Sequence, residues 1–555
     1  MVGASGRRFS FRKRPQVAAE GATLLAALSR DRIALLRRSS RYHRPQGAFC
    51  GVGQCAGCLV RVNGRPNVRA CRYVPAEGDT VTTETSWPGP EWDLLGAIGM
   101  LAPGGIDTLH GFRRPAFATG LYQRLVRRLA GTGAPPTDTA ARAAATGGTD
   151  RTCDVAIVGG GDAGRAVVAE LVAHGVAPVV LERSLDPPPA PGAELWPATT
   201  AVFLPAPVDA GGRAFTLLAF REPDHGVRIT ARSVVVATGR YDASLLFRGH
   251  DRPGVLSAAA ALAFAAPPRR PPFRRAVVVG GGARVAEVLE QIGESVEAVV
   301  APGEIRPEVV RAASDRGVLL YPRSLILATD GRTRVRGVRL QARSNGPRTT
   351  VACDALILAH RQLPHNQLFF QAGATMEWDP SAAAYFPTVG PEGSTSVTGL
   401  FAVGAAARVP VPERAGHVAA LVRAIRSGPG PVASAPARSA DPAPTELLGY
   451  FRELLRVRGH ERWVVCPCED VLLSEVEEAV RAGYRGIEVV KRYTSLGTGV
   501  CQGRYCLPDA LLLLAVLEDR PPPEVGYITQ RPPVVPTPLG ALASLSVGTA
   551  AEESP

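Results

Sequence analysis

Asp154-Val-Ala-Ile-Val-Gly-Gly-Gly-Asp-Ala-Gly164 is the stretch that decides how this chain is read. An apolar strand runs into Gly159-x-Gly161-x-x-Gly164. The pattern then predicts a helix over Ala163–Ala173 and a second strand over Ala177–Leu181, ending at Glu182. The three glycines serve different ends. The first makes a tight turn, the second lets a pyrophosphate approach the backbone, and the third allows the helix to pack on the strand. The phosphate would sit on the helix N-terminus, where backbone N–H groups have no partner within the helix. Glu182, 18 residues beyond the last glycine, is placed to accept from a ribose hydroxyl. The candidate dinucleotide contacts are therefore Gly159, Gly160, Gly161, Ala163, Gly164 and Glu182.

Downstream, Ser233-Val-Val-Val-Ala-Thr-Gly239 reads as a buried strand closed by a glycine turn, which adds Gly239 to the candidates. A second strand–turn–helix unit starts at Ala276-Val-Val-Val-Gly-Gly-Gly-Ala-Arg-Val285. It keeps Gly280 and Gly282, but Val285 stands where the third glycine would be. The next strand ends at Ala301 with no acid for a ribose. The turn and strand pattern suffice for the fold, while occupancy by NAD or NADP is left open. Strands alternating with helices through this block imply an α/β architecture of parallel sheets with crossover helices.

The 555 residues suggest about three or four domains. With 46% apolar and 20% charged residues, the chain is neither wholly disordered nor fibrous. No apolar run approaches the ~20 residues of a membrane helix; the longest, Ala510–Leu517, reads as a buried helix. The net charge of +13 is not a nucleic-acid signature, because arginine is scattered through every segment and aromatic content is only 6%. Gly6-Arg-Arg-Phe-Ser-Phe-Arg-Lys13 resembles a twin-arginine export signal, yet Glu20 and Arg30 interrupt the apolar stretch such a signal needs. The alternating Phe9 and Phe11 fit a first strand better, and the expected compartment is the cytoplasm. Residues 131–150 and 428–445, rich in Ala, Pro, Gly and Thr, read as linkers, and the Pro-rich tail after Pro521 reads as extended.

Eight of the ten cysteines fall into two sets. The first is Cys50-x4-Cys55-x2-Cys58-x12-Cys71, the spacing by which four thiolates hold a plant-type [2Fe-2S] cluster. Gly51, Gly53 and Gly57 let the loop wrap closely round such a cofactor. A zinc site more often pairs two short cysteine units, which this spacing does not supply. The second set is Cys466-Pro-Cys468, then 32 residues, then Cys501-Gln-Gly-Arg-Tyr-Cys506. The intervening stretch reads as a helix over Leu473–Ala482 and a short strand over Ile487–Val490. Spacing alone leaves zinc and a second [2Fe-2S] cluster both open; coexistence with a redox cluster and nucleotide units favours iron–sulfur. Cys153 and Cys353 stand alone at the starts of apolar strands and read as buried thiols.

Together with these sets, Tyr42-His-Arg-Pro-x-Gly47, Pro66-Asn-Val-Arg-Ala-Cys71, Asp251-Arg-Pro-Gly-Val255, Lys491-Arg-Tyr-Thr-x-Leu-Gly497, Cys501-Gln-Gly-Arg and Arg531-Pro-Pro resemble one family. It comprises the α (or A) subunits of heteromeric amino-acid and amine oxidising flavoenzymes: opine oxidases, D-hydroxyproline dehydrogenase, hydrogen cyanide synthase and sarcosine oxidase. The resemblance covers nearly the whole chain. Because all eight cysteines are kept and the chain stops near where a folate-binding module follows in sarcosine oxidase α, it is most similar to the iron–sulfur branch. The Ala-Thr-Gly239 closing turn, similar to that of two-dinucleotide-domain flavoproteins, favours FAD over NAD at the first site.

The resemblance implies a ferredoxin-like [2Fe-2S] domain at 1–90 and a connecting segment and linker at 91–150. A two-dinucleotide-binding-domain (Rossmann-like) flavoprotein core follows at 151–427, its second nucleotide unit at about 273–350. After the linker comes a small α-rich, BFD-like [2Fe-2S] domain at 446–520, then a tail at 521–555. It implies FAD and two clusters as cofactors and an FAD-dependent, D-amino-acid-oxidase-like β subunit on which the amine is oxidised. This chain would be the electron-transfer half, delivering to an unidentified acceptor. Four-thiolate plant-type clusters, at roughly −400 mV, suit one-electron relay. Two departures stand out: only 16 residues separate Glu182 from Thr199, and Gly404-Ala-Ala lacks the aspartate of disulfide-type flavin reductases. His43, His360 and His365 read as loop-ordering residues, and no catalytic residue is assigned. The competing readings are a self-contained NAD(P)H-dependent ferredoxin-type reductase and a redox-inactive scaffold subunit.

Overall fold

A computed structural model describes residues 6–86, 89–94, 148–205, 214–266, 271–343, 345–408, 414–427 and 444–546. Most of the connecting segment at 91–150 and nearly all of the linker at 428–445 lie outside the described residues. By internal contact the chain forms two units: residues 1–135, 242–361 and 444–527, and residues 136–241, 362–443 and 528–555.

The first unit opens with the strand expected from Phe9 and Phe11, Gly6–Phe11, which buries both rings. It pairs antiparallel with Arg14–Ala19 and parallel with Thr80–Thr83. Leu59–Val62 and Arg65–Arg69 complete a five-stranded sheet. Helix Leu24–Arg30, capped by the Thr23 hydroxyl accepting from the Ala26 N–H, covers it with Leu24, Leu25 and Leu28. Cys58 and Cys71 are part of this apolar core.

The second nucleotide-type unit also belongs here. Its five parallel strands run in the order Val255–Ser257, Ala355–Leu358, Ala276–Val279, Val296–Val300, Leu319–Tyr321, so it extends beyond the expected 273–350. Helix Ala283–Ile292 packs on it through Val285, Val288 and Leu289, all fully buried. Val285 therefore serves the core at the position where a dinucleotide fingerprint has its third glycine. The expected single domain at 151–427 is divided between the two units, because this sheet packs with the cysteine-bearing segments. The Ser257 N–H donates to the Phe49 carbonyl at 3.0 Å, and a Cβ on Gly51 would lie 3.2 Å from Ala260 Cβ.

The C-terminal part of this unit is helical: Pro444–Leu454, Leu473–Arg481, Ile487–Thr494 and Leu507–Leu517, with the short pair Val464–Cys466 and Val471–Leu472. Ile487–Thr494 corrects the expected strand at Ile487–Val490. Ile487 and Val490 are buried at helical i, i+3 spacing, and left-handed residues bound the helix, Gly486 (φ 76°) before it and Ser495 (φ 65°) after it. A four-residue apolar run does not separate the two periods; its flanks do.

In the second unit, the sheet order is Glu194–Trp196, Val179–Leu181, Thr149–Val158, His225–Val236, Phe215–Arg221, Thr199–Phe203. The C-terminal half of His225–Val236 also pairs in parallel with Leu400–Ala402. Helices Asp162–Ala173 and Arg414–Ser427 cover one face, burying Val167, Leu171, Val418 and Leu421. The tail is not wholly extended as expected. Pro522–Val525 and Leu539–Ser546 are helical, and in this unit Ser544 Oγ accepts from the Gly226 N–H at 2.8 Å while Ala541 is fully buried. Gly226 allows that close docking, since a Cβ there would lie 2.4 Å from the Ala541 carbonyl, and the prolines around the helix mask its signal. Among the described residues, no helix is long and apolar enough to cross a membrane.

Candidate redox-cofactor sites

The first glycine turn, in the second unit, has the geometry its sequence requires. Gly159 (φ 110°) lies against the Ala237 carbonyl, and a Cβ on Gly164 would fall 1.9 Å from the Gly159 carbonyl, so only glycine lets helix Asp162–Ala173 pack here. Gly161 is the N-cap, has open space around it and supplies no side-chain cap, which leaves amides facing outward. These are the features that fit a dinucleotide phosphate. Glu182 stands at the end of strand Val179–Leu181. One carboxylate oxygen accepts from the Gly160 N–H and the other from the Ser184 N–H, both at 2.6 Å. Its remaining lone pairs are what a ribose would use. A Cβ on Gly239 (φ 66°) would meet no atom within 4 Å, and the Gly239 carbonyl accepts from the His365 N–H at 3.1 Å. Gly404 (φ 68°) abuts Ala163, which brings the late Gly404-Ala-Ala segment to the same turn.

The second glycine turn, in the first unit, repeats this layout. Gly280 (φ 140°) lies against the Ala359 carbonyl as Gly159 lies against Ala237, and Gly282 caps helix Ala283–Ile292. Arg284 is engaged by Asp242 at 3.1 Å. His360 follows strand Ala355–Leu358, with both ring nitrogens buried and without a hydrogen-bond partner; burial pushes it down to about 3. His43 Nδ1 lies 2.8 Å from Asp93 Oδ2.

All four thiols of the first cysteine set are buried. They meet in two pairs, Cys50 with Cys55 and Cys58 with Cys71. The Val52 and Gln54 amides donate to Cys50 Sγ at 3.5 and 3.3 Å, and the Gly53 amide to Cys71 Sγ at 3.1 Å. Burial opposes ionisation of Cys50, but hydrogen bonds from Cys55 and the two amides outweigh it and bring the thiol down to about 5. Its partner Cys55 is pushed well up, first by sharing a proton with Cys50 and then by burial. A Cβ on Gly57 would lie 2.0 Å from the Gly47 carbonyl, so the turn between Cys55 and Cys58 tolerates no side chain at position 57.

The second set repeats the two-plus-two arrangement: Cys468 with Cys501, and Cys466 with Cys506. Cys501 is drawn down to about 7, chiefly by its hydrogen bond with Cys468 against burial, helped by the Tyr505 and Gly503 amides. Among the described residues, no group of three or more His, Cys, Asp or Glu side chains is arranged to hold a single metal ion. The thiols also act on one another across the pairs, Cys71 with Cys50 and Cys55, and Cys506 with Cys501 and Cys468, so each set gathers the four sulfurs that a four-thiolate centre takes.

Both sets line one cavity of about 60 Å³, whose walls include Cys55, Ala56 and Gly57 from the first and Pro467, Cys468, Cys501 and Tyr505 from the second. The Tyr42-His-Arg-Pro segment holds them together. Asp470, 1% exposed, accepts from the amides of Arg41 (2.7 Å) and Tyr42 (3.3 Å) and from Arg44 Nε (3.0 Å). Arg44 also pairs with Asp251, Gln46 Nε2 donates to the Pro467 carbonyl at 2.8 Å, and Arg41 pairs with Glu475 at 2.7 Å. Sequence reasoning misses Asp470 and Glu475: nothing local marks an acid that serves a partner more than 400 residues away.

A flavin-type dinucleotide fold joined to paired thiol sets defines an iron–sulfur flavoprotein oxidoreductase. Residues 8–86 match the 2Fe-2S iron-sulfur cluster binding domain, residues 153–428 the pyridine nucleotide-disulphide oxidoreductase family, and residues 460–545 the sarcosine oxidase A3 domain. The chain is 28% identical over 598 residues to sarcosine oxidase subunit alpha of Rhizobium meliloti (strain 1021), across 97% of this chain and 58% of that protein. It is 42% identical over 72 residues to hydrogen cyanide synthase subunit HcnA of Pseudomonas aeruginosa, across 13% of this chain and 68% of that one. The solved L-proline dehydrogenase from P. horikoshii shares the fold over 97% of this chain and 98% of its own, with 19% identity and a TM-score of 0.67. The chain belongs to the subunit family of sarcosine oxidase alpha, opine oxidase A and hydrogen cyanide synthase.

Proposed function

We propose that this chain is the electron-transfer subunit of a heteromeric flavin-dependent amine or amino-acid oxidoreductase. Cys50, Cys55, Cys58 and Cys71 would hold one [2Fe-2S] cluster, and Cys466, Cys468, Cys501 and Cys506 a second. Gly159, Gly160, Gly161, Ala163, Gly164, Glu182 and Gly239 would hold FAD; Gly280 and Gly282 keep a turn able to take NAD(P) without the acid that favours it. When bound, the flavin converts between two- and one-electron steps and the clusters relay single electrons. The chain's own part is to hold and orient. Amides at Val52, Gly53 and Gln54 stabilise thiolate charge, Gly161 presents uncapped amides, and the buried loops keep water from the sulfurs. Substrate oxidation is assigned to a D-amino-acid-oxidase-like β subunit, since no acid/base constellation accompanies these sites among the described residues.

The observation that carries this reading is that each cysteine set gathers its four thiols, with Cys55 of the first and Cys468 and Cys501 of the second lining one cavity. Metal, sulfide and flavin analysis of the anaerobically isolated chain tests it. About four iron and four sulfide per chain are expected, two of each per set, with paramagnetic signals after dithionite. Zinc without sulfide would refute it. Rapid bleaching by NADH would move the assignment to a self-contained reductase, and co-purification from the native host identifies the companion chain.

A further inference from the structure

Arg37 is a buried guanidinium that the cofactor sites described above do not use. It is 8% exposed and lies on the two-residue strand Arg37–Arg38, in register with Pro45–Gln46 so that Arg37 faces Gln46. Arg37 Nη1 donates to the Ala56 carbonyl at 3.2 Å, inside the Cys55–Cys58 turn. Gln46 Nε2 donates to the Pro467 carbonyl, inside Cys466-Pro-Cys468. One registered residue pair thus reaches the backbone of both cysteine motifs.

Burial works against the charge on Arg37, while Cys468, Glu84, Asp470 and Cys58 favour it, so its field is felt at both sets. A cation so placed stabilises negative charge on thiolates of either set.

Resting on the two-cluster reading, we propose that Arg37 is a positioning residue shared by both cysteine sets, whose fixed positive charge raises the reduction potential of the two clusters together. Each reduction adds one electron and no proton or bond change, so the reduced cluster is the more negative form. A nearby cation favours it, and removing that cation lowers the potential.

The test is an electron-paramagnetic-resonance-monitored redox titration of the full chain with dithionite, comparing wild type with Arg37→Gln, Arg37→Met and Arg37→Lys, each checked for iron and sulfide. Both midpoints should fall in Arg37→Gln and Arg37→Met by a tenfold change in the one-electron equilibrium, about 59 mV. Arg37→Lys, which keeps the charge, should stay within a third of that shift. Arg37→Met covers the case in which Arg37→Gln fails to load. Unchanged midpoints in a fully loaded uncharged variant, or a shift confined to one cluster, would overturn the shared role and leave the two-cluster reading intact. Loss of iron from all three variants would make Arg37 purely structural and overturn it too. Wild-type chain without clusters would sink the two-cluster reading, and this inference with it.

Discussion

Replacing Asp470 with Ala removes a side chain that joins residues 41–44 to the second cysteine motif through two backbone amides and a guanidinium. Asp470 is 1% exposed and accepts from the Arg41 and Tyr42 amides and from Arg44. Deletion takes this acceptor from the two amides and leaves Arg44 with Asp251 and the Pro467 carbonyl. Breaking a buried pair from one side costs ~3–5 kcal/mol. Arg44 is 19% exposed and keeps Asp251, so the lower end, about 3 kcal/mol, is the expected loss. Asp470→Asn keeps the shape and one acceptor oxygen, and should lose about half of that, in the range of a charge-assisted hydrogen bond. The assay is equilibrium urea unfolding followed by circular dichroism, completed as a double-mutant cycle with Arg44→Ala. Coupling of ~1–3 kcal/mol between the two positions is expected. If Asp470→Ala costs under about 1 kcal/mol, or the two changes add without coupling, the clamp is not what joins these segments.

Gly57→Ala should abolish loading of the first cysteine set, because its Cβ would meet the Gly47 carbonyl at 2.0 Å; iron and sulfide would fall by about half, and unchanged iron would refute this. Gly164→Ala should empty the flavin site, its Cβ falling 1.9 Å from the Gly159 carbonyl, and flavin per chain read from absorbance checks it while iron stays constant. Asp509 is buried beside Arg361, and burial raises it to about 7 against that arginine's opposing pull. The folded chain then holds a proton that the unfolded chain lacks between about pH 4 and 7. Stability relative to Asp509→Asn should therefore fall by up to about 1.4 kcal/mol per pH unit as pH rises through that window, then level off near pH 8; a flat difference in urea midpoints across about pH 5–7 contradicts it. Cys153 and Cys353, raised by burial to about 11 and about 12, should resist iodoacetamide at about pH 8, whereas fast labelling of either would show an accessible thiolate.

Both glycine turns, the strand carrying Phe9 and Phe11, the buried helix at Leu507–Leu517 and the membership of each cysteine set are legible in the sequence. In each case the determining contacts lie within a few residues, or the spacing itself carries the chemistry. Val285 departs visibly from the fingerprint, and the structure gives the reason, since its side chain fills the core under helix Ala283–Ile292. The strand expected at Ile487–Val490 fails because four residues do not resolve the two periods; the flanking left-handed residues decide for a helix. The tail helix Leu539–Ser546 is hidden by prolines, and its apolar face has meaning only against the strand it covers.

Local chemistry in the chain alone thus determines that it folds as strand–turn–helix units with two four-cysteine loops. A glycine that admits no Cβ, or four thiols at fixed spacing, declares itself within a short window. Only the tertiary structure decides that the second nucleotide unit groups with the cysteine segments, that thiols pair two by two, and that Asp470 clasps Arg44 while Arg37 and Gln46 reach separate motifs. Those facts depend on groups far apart in the chain, brought together by burial of apolar surface, which is non-directional and leaves no local mark of which partner each side chain will meet.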